Sequence, residues 1–265
     1  MTFAREKPEE REDISVGSLI DPPGMTDGYC TVCGDTYTKR GMTRHLQSCM
    51  ADLPVTDEPP LVHLRIVATG RSDYWLHLAV EQPITLDALD AFLRALWLEC
   101  CGHMSGFTIG EIQYTKPHSP DDSMPLLGIE RRSMDVSLAT ALNADVADQN
   151  QEFTYEYDFG TTTELTVRVV ETGRWDLANA DLVARSDDIP DSDGIHLLAR
   201  NDSPPIECGE CGAPATTVCQ SCLFELGPDA WLCDDCAEAH ESECERPAFL
   251  PRVNSPRTGV CGYTG

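Results

Sequence analysis

Lysine is almost missing from this chain. Lys7, Lys39 and Lys116 are the whole supply among 265 residues, and Lys plus Arg total 19 against 45 Asp plus Glu. The net charge of -26 repels phosphate backbones and anionic lipid surfaces at long range. An acidic surface poor in lysine suits a cytoplasmic protein adapted to molar salt, which screens the self-repulsion. The competing reading is an acidic, partner-binding protein at ordinary salt. A long apolar run is missing too. No stretch approaches the ~18 residues of a membrane span, and Met1 to Ser15 lacks the apolar centre of an export signal. The expectation is an intracellular protein with no membrane contact. Catalytic signatures are equally scarce: there is no Ser/His/Asp set, phosphate loop or dinucleotide fingerprint. Asp158 sits in a Tyr-Asp-Phe-Gly string, but the Gly-rich and His-Arg-Asp loops of a kinase are absent. Asp158 reads as a turn residue at a strand end.

Cysteine, by contrast, is abundant. Its 13 copies, an odd number without an export signal, read as metal-bound thiolates rather than disulfides. The densest run is Cys208-x2-Cys211-x7-Cys219-x2-Cys222-x10-Cys233-x2-Cys236-x3-His240-x3-Cys244. Eight soft ligands in four close pairs match two tetrahedral Zn²⁺ sites. The bland reading, buried or disulfide-bonded cysteines, does not account for that spacing. A second set is Cys30-x2-Cys33-x11-His45-x3-Cys49. It resembles a ββα zinc finger with Cys in place of the last His. A short hairpin would carry the two Cys, and a helix from about Lys39 would put His45 and Cys49 on one face. Tyr37 and Met42 would form its small core. Three zinc ions per chain are therefore expected. Each has four protein ligands, and such closed sites are structural rather than hydrolytic. His103 lies near Cys100 and Cys101 and would complete a further site with them, but the two cysteines are adjacent at a helix end, where their side chains are expected to diverge, and the site is set aside. With Cys261 they are left unassigned.

Between the cysteine-rich ends lies a globular domain. Val62, Leu64, Ile66 and Ala68 alternate, as do Tyr74, Leu76, Leu78 and Val80, which predicts a β-hairpin. Thr85 or Asp87 caps a helix with Leu86, Leu89, Leu93, Leu96, Trp97 and Cys100 on one face. Phe107 to Tyr114 suggests a third strand broken at Gly110, and Val136 to Leu142 a short helix. Phe153, Tyr155, Tyr157 and Phe159 alternate into Gly160, and Leu165, Val167 and Val169 return as a second hairpin. The expected fold is α+β: a central antiparallel or mixed sheet of about five strands, helices on one face, and small zinc-stapled modules on the flanks. The expected divisions are a disordered start (1–24), the finger (25–51), the α+β domain (61–175), an acidic linker (176–205), the two-zinc module (206–250) and a Gly/Pro-rich tail (251–265).

The middle domain resembles the plasmid pRiA-type ORF-three-like family. The residues that carry the likeness are Leu64-Arg65-Ile66-Val67, Leu86 to Leu93, His103 to Gly110, and the aromatic strand Phe153 to Gly160 ending Tyr-Asp-Phe-Gly. Where that family often has Asp and an aromatic after the glycine, this chain has Thr161, Thr162 and Thr163. The resemblance implies an α+β fold and no established activity. Some relatives carry a resolvase name, but a serine recombinase needs a serine among arginines, and Ser15 and Ser18 sit in an acidic stretch. The C-terminal run is similar to cross-braced two-zinc domains of the MYND or B-box kind. That likeness implies one ion on Cys208, Cys211, Cys233 and Cys236 and the other on Cys219, Cys222, His240 and Cys244. Sequential pairing of the ligands is the competing arrangement, and spacing does not decide between them.

The functional expectation is a non-enzymatic, zinc-binding adaptor or regulator with a protein partner. The C-terminal run holds ten acidic residues between Glu207 and Glu245, which opposes phosphate binding. Phe224, Leu226 and Trp231 are candidate apolar contacts, or ordinary packing around the zincs. The alternative is a DNA-associated factor of a mobile element, with Lys39, Arg40 and Arg44 of the finger as nucleic-acid contacts. A third reading, a hydrolase or nuclease, requires a cleft lined by two carboxylates or by His103 with Asp158.

Overall fold

The computed structural model describes residues 26–116, 130–142, 151–177 and 192–265, with 180, 182 and 190. The expected disorder at 1–24 and the middle of the expected linker lie outside the described residues. The chain opens with a hairpin, β1 (Asp27–Cys30) and β2 (Thr36–Thr38), followed by helix α1 (Lys39–Ala51). Thr38 Oγ1 caps α1 by accepting from Gly41 N at 3.1 Å, satisfying a donor that the first turn leaves unpaired. Next come β3 (Leu61–Ala68) and β4 (Trp75–Glu81), the hairpin that the alternation predicts. Thr85 caps α2 (Leu86–Leu93) through Ala88 N, and a π-helical turn, Arg94–Leu98, extends it.

The stretch expected as one broken strand is a tight hairpin of β5 (Ser105–Ile109) and β6 (Ile112–Thr115), turning at Gly110 with φ 61°. β7 (Glu130–Ser133) and the short α3 (Leu138–Ala141) follow, then the aromatic hairpin of β8 (Glu152–Tyr157) and β9 (Thr163–Gly173). β10 (Ile195–Asn201) completes the domain. The C-terminal part holds β11 (Thr217–Cys219), α4 (Gln220–Leu226), β12 (Trp231–Leu232), α5 (Asp234–Glu243) and β13 (Phe249–Pro251).

These strands overturn the expectation of a single sheet of about five. They form a ten-stranded mixed sheet in the order β2-β1-β10-β4-β3-β9-β8-β5-β6-β7, and a separate three-stranded sheet in the order β12-β11-β13. All neighbours are antiparallel except β6 and β7. Three physical causes account for the missed strands. β7 reads Glu-Arg-Arg-Ser and has no apolar residue to reveal it. β10 reads Ile-His-Leu-Leu-Ala-Arg-Asn and bulges between Leu197 and Ala199, so the successive residues Leu198 and Ala199 face the same side and the alternation is lost. The hairpin of β1 and β2 joins the same sheet, β1 pairing with β10 over Gly28 to Cys30.

Helices on one face is also corrected. Leu76, Leu78 and Val80 of β4 pack with Leu64 and Ile66 of β3 against Leu86, Leu89, Phe92 and Leu93 of α2. Trp75 and Ala79 project from the opposite side of β4, with Leu61, Leu198 and Ala199, against Met42, Leu46 and Met50 of α1. The sheet is thus covered on both faces. Gly28 is required where β1 joins it, because a Cβ there would run into the Arg200 carbonyl and the Trp75 ring.

The α1-covered face also buries two histidines. His63 Nε2 and His77 Nδ1 are 2.8 Å apart, and both side chains are fully buried. Burial lowers the pKa of each, with Glu171 partly offsetting it for His63 and the neighbouring His63 and Arg65 adding to it for His77. Two outcomes are expected from this packing. Leu46→Ala, which empties the centre of the α1 contact, should cost about 2–5 kcal/mol in urea unfolding. The histidines should make stability fall with acid: the unfolded chain takes up protons near pH 6.5 that the folded pair refuses, so stability is full above that pH and declines below it. Urea midpoints at pH 7.5 and 5.5 should differ less in His77→Gln than in the parent. An equal decline in both would contradict the assignment.

Candidate metal centres

In the N-terminal cluster, β1 ends on Cys30, and the turn that follows is closed by Gly34 N donating to Cys30 O and Cys30 N to Asp35 O, both at 2.9 Å. That turn holds Cys33 beside Cys30, while α1 brings His45 and Cys49 to the same place one helical turn apart. Cys33 Sγ and His45 Nε2 are 3.3 Å apart, and the Tyr37 ring stacks on His45 with centroids 3.9 Å apart. Thr31 ties the turn to the sheet, its hydroxyl donating to Leu197 O at 2.6 Å.

In the C-terminal part, Cys208 N donates to Ala213 O and Gly212 N to Cys208 O, shaping the first Cys-x2-Cys turn. Gly209 N donates to Trp231 O at 2.8 Å. That bond sets the turn beside the end of β12, where Cys233 and Cys236 open α5. Gly209 is needed there because a Cβ would overlap the Asp229 backbone. The second turn leaves β11 at Cys219 and enters α4 with Cys222, facing His240 and Cys244 at the far end of α5. The ten residues of α5 span ~15 Å, so its two ends serve different sites. The ligand atoms accordingly gather as Cys208, Cys211, Cys233 and Cys236, and as Cys219, Cys222, His240 and Cys244. This is the interleaved arrangement.

The expected count of three sites becomes four clusters. Cys100, Cys101, His103 and Cys261 also converge, with all ligand atoms within 4.8 Å of one another. The adjacent cysteines do not diverge as a helix end would make them. Glu99 is already extended, at φ -69° and ψ 114°, so the chain has left the helix and the two sulfurs lie 3.6 Å apart. Cys261 arrives from 160 residues away, a separation no local spacing can signal. The expectation that set aside a site on Cys100, Cys101 and His103 is therefore corrected: the three ligands do converge, and Cys261 supplies the fourth.

The distances fit a tetrahedral ion. Two thiolates at about 2.3 Å from zinc lie roughly 3.8 Å apart, and a thiolate and an imidazole nitrogen roughly 3.6 Å. Cys211 and Cys233 are separated by 3.7 Å, Cys222 and Cys244 by 3.6 Å, and Cys222 and His240 by 3.4 Å. The thiols are also electrostatically uneven. Burial opposes ionisation of Cys208, but backbone N–H groups of Cys233, Cys211 and Glu210 overcome it and bring the pKa to about 6. Cys219 falls to about 7, against its own burial, through backbone donors at Ala248 and Cys222 and the side chain of His240. Burial and then the neighbouring thiols push Cys49 and Cys222 up to about 12. A crowd of thiols in which some resist ionising beside others accepts full deprotonation only with a cation among them.

The other singled-out residues fare differently. Lys39 is turned inward, its Nζ donating to Ser72 O at 2.8 Å, and burial lowers its pKa. Arg40 and Arg44 are exposed on α1. His103 Nε2 and Asp158 Oδ2 do meet, at 3.5 Å. They stand among Cys101, Cys261 and Arg257, and a cavity bordered by Tyr29, Arg200, Asn254 and Tyr263 includes neither. Trp231 is fully buried, whereas Phe224 and Leu226 are 71% and 47% exposed. None of the described helices is long and apolar enough to cross a membrane.

Comparison with known proteins adds the following. Residues 62–194, half of the chain, match the family model described as plasmid pRiA4b ORF-3-like protein. That description states no activity, and neither cysteine-rich end falls within the match. No curated protein matches the chain. Among solved structures, a protein of unknown function from Methanosarcina mazei Go1, MM3350, is 17% identical, with a TM-score of 0.33 over 43% of this chain. The chain spans 61% of that protein's length.

The interleaved clusters generate a direct test. In metal-loaded Cys233→Ser, alkylation mapped by mass spectrometry should label Cys208, Cys211 and Cys236 and leave Cys219, Cys222 and Cys244 protected. Labelling of Cys236 with Cys244, while Cys208 stays protected, would mean sequential pairing instead.

Proposed function

The chain belongs to the plasmid pRiA4b ORF-3-like family, and from that premise we propose that it is a zinc-binding adaptor or regulator without catalysis of its own. Zinc would sit on Cys30, Cys33, His45 and Cys49, on Cys208, Cys211, Cys233 and Cys236, and on Cys219, Cys222, His240 and Cys244. Each set supplies four soft donors, and a zinc so enclosed keeps no position for a reacting water. Its work is to fold segments whose own cores are small. The C-terminal core consists of seven buried residues around Trp231 and Val218, too few to hold that part of the chain alone.

The observation that carries the adaptor reading is the exposure of Phe224 and Leu226 on α4, the helix whose first turn holds the ligand Cys222. In a core this poor, two large apolar side chains left in water are more useful to a partner than to folding. Ten acidic residues in the same run make that partner a protein with basic groups rather than a nucleic acid. The DNA reading rests on exposed Arg40 and Arg44 alone, since Lys39 is engaged with Ser72.

Full-length tagged protein recovered from its own cells should carry a stoichiometric protein partner. Phe224→Asp with Leu226→Asp should lose that partner while retaining its zinc. Equal recovery by the variant, or no stoichiometric protein with either, would overturn the reading. Duplex DNA binding that weakens steeply with salt and disappears in Arg40→Ala with Arg44→Ala would establish the DNA alternative.

A further inference from the structure

We infer that Cys100, Cys101, His103 and Cys261 are a fourth metal centre, for a soft divalent ion of the zinc class, which clasps the C-terminal segment to the central domain. The inference is independent of the adaptor reading and uses none of its residues. Three sulfurs and one imidazole nitrogen converge. Cys100 and Cys101 Sγ are 3.6 Å apart, Cys101 and Cys261 Sγ 3.8 Å, and His103 Nε2 lies 3.2 Å from Cys261 Sγ and 2.8 Å from Cys101 Sγ. The sulfur separations repeat the 3.7 and 3.6 Å found in the two C-terminal clusters. They are far from the ~2.05 Å of a disulfide, which would also use only two of the three sulfurs. Three thiolates and an imidazole suit zinc in preference to a hard cation.

Backbone conformation points to the same place. Among the described residues, the non-glycine positions with positive φ are Asp158 at 63° and Cys261 at 49°. Asp158 offsets its strain with its own side chain, which accepts from Gly160 N and Thr161 N. Cys261 has no such compensation in its side chain, which points into the cluster. Left-handed backbone of this kind is strained and persists where surrounding contacts impose it.

The surroundings prepare the site. Arg257, fully buried, donates to Asp158 Oδ2 at 2.5 Å and to Thr161 O at 2.9 Å, with its guanidinium over the Tyr157 ring. Ser255 Oγ donates to Trp97 O, and Arg71 to Pro256 O. These contacts bring Cys261 back after the excursion through the two C-terminal clusters, whose outgoing and returning ends meet where Asn201 and Asn254 exchange hydrogen bonds. Unlike the other three clusters, this one has no fully buried ligand, and Cys101 is exposed. An ion can therefore enter and leave without unfolding the domain, and chelators should empty this centre first.

Full-length protein purified under reducing conditions and analysed for zinc should hold four equivalents, falling to three in Cys261→Ser. Three equivalents in both would overturn the fourth centre and leave the other three sites standing; a value near zero in the parent would overturn all four. If Cys261→Ser does not fold, alkylation of the unmodified protein decides. Cys100, Cys101 and Cys261 should be protected when metal-loaded and become labelled together, before the other ten cysteines, as a chelator is titrated in. Immediate labelling of exposed Cys101 in the loaded protein, or recovery of a Cys101–Cys261 disulfide, would overturn the inference.

Discussion

The architecture turns on the two-sided pairing of β10. On one edge it bonds to β4 and so to the whole central sheet; on the other it bonds to β1 and so to the N-terminal hairpin. Its bulge lets Leu197 face the α2 core while Leu198 and Ala199 face α1. Without β10 the hairpin of β1 and β2 would have no sheet to join, and α1 no apolar surface to cover. The same strand ends at Asn201, where the chain departs for its C-terminal excursion and where Asn254 meets it on return.

A second constraint is the poverty of apolar material at the ends. The central core has many large side chains on both sheet faces, and β-strand pairing holds it without further help. The C-terminal part has short strands of two or three residues and a helix, α5, with no buried residue. Its conformation is fixed instead by backbone bonds around sulfur-bearing turns, and those turns place thiols close enough to repel one another when ionised. Side chains that are unfavourable together as free thiolates become favourable around a cation. The clusters can therefore serve as folding devices once an ion is bound, as the proposed function requires.

The central hairpins were legible because their periodicity is plain. β3 with β4 and β8 with β9 alternate cleanly, and α2 starts at a threonine cap. The ligand sets in the finger and the C-terminal run were legible because Cys-x2-Cys and His-x3-Cys spacings record local geometry. What escaped was non-local or patternless. β7 has only charged and polar side chains, β10 hides its alternation in a bulge, and Cys261 reaches Cys101 across most of the chain. His103 and Asp158 are a pair that the sequence itself offers, yet their common neighbours, Arg257 and Cys261, come from a tail that composition marks only as rich in glycine and proline.

From its order of residues alone, this protein determined its supply of soft donors and the local spacing of most of them, where its hairpins turn, and how little positive charge it carries. Those properties depend on neighbours a few positions apart, and short-range spacing encodes them. Tertiary structure decided the number of strands, the burial of both sheet faces, the interleaving of the C-terminal ligands and the meeting of Cys261 with Cys100, Cys101 and His103. Each of these depends on which distant segments bury apolar surface together, and the free energy of that burial is a property of the assembled chain.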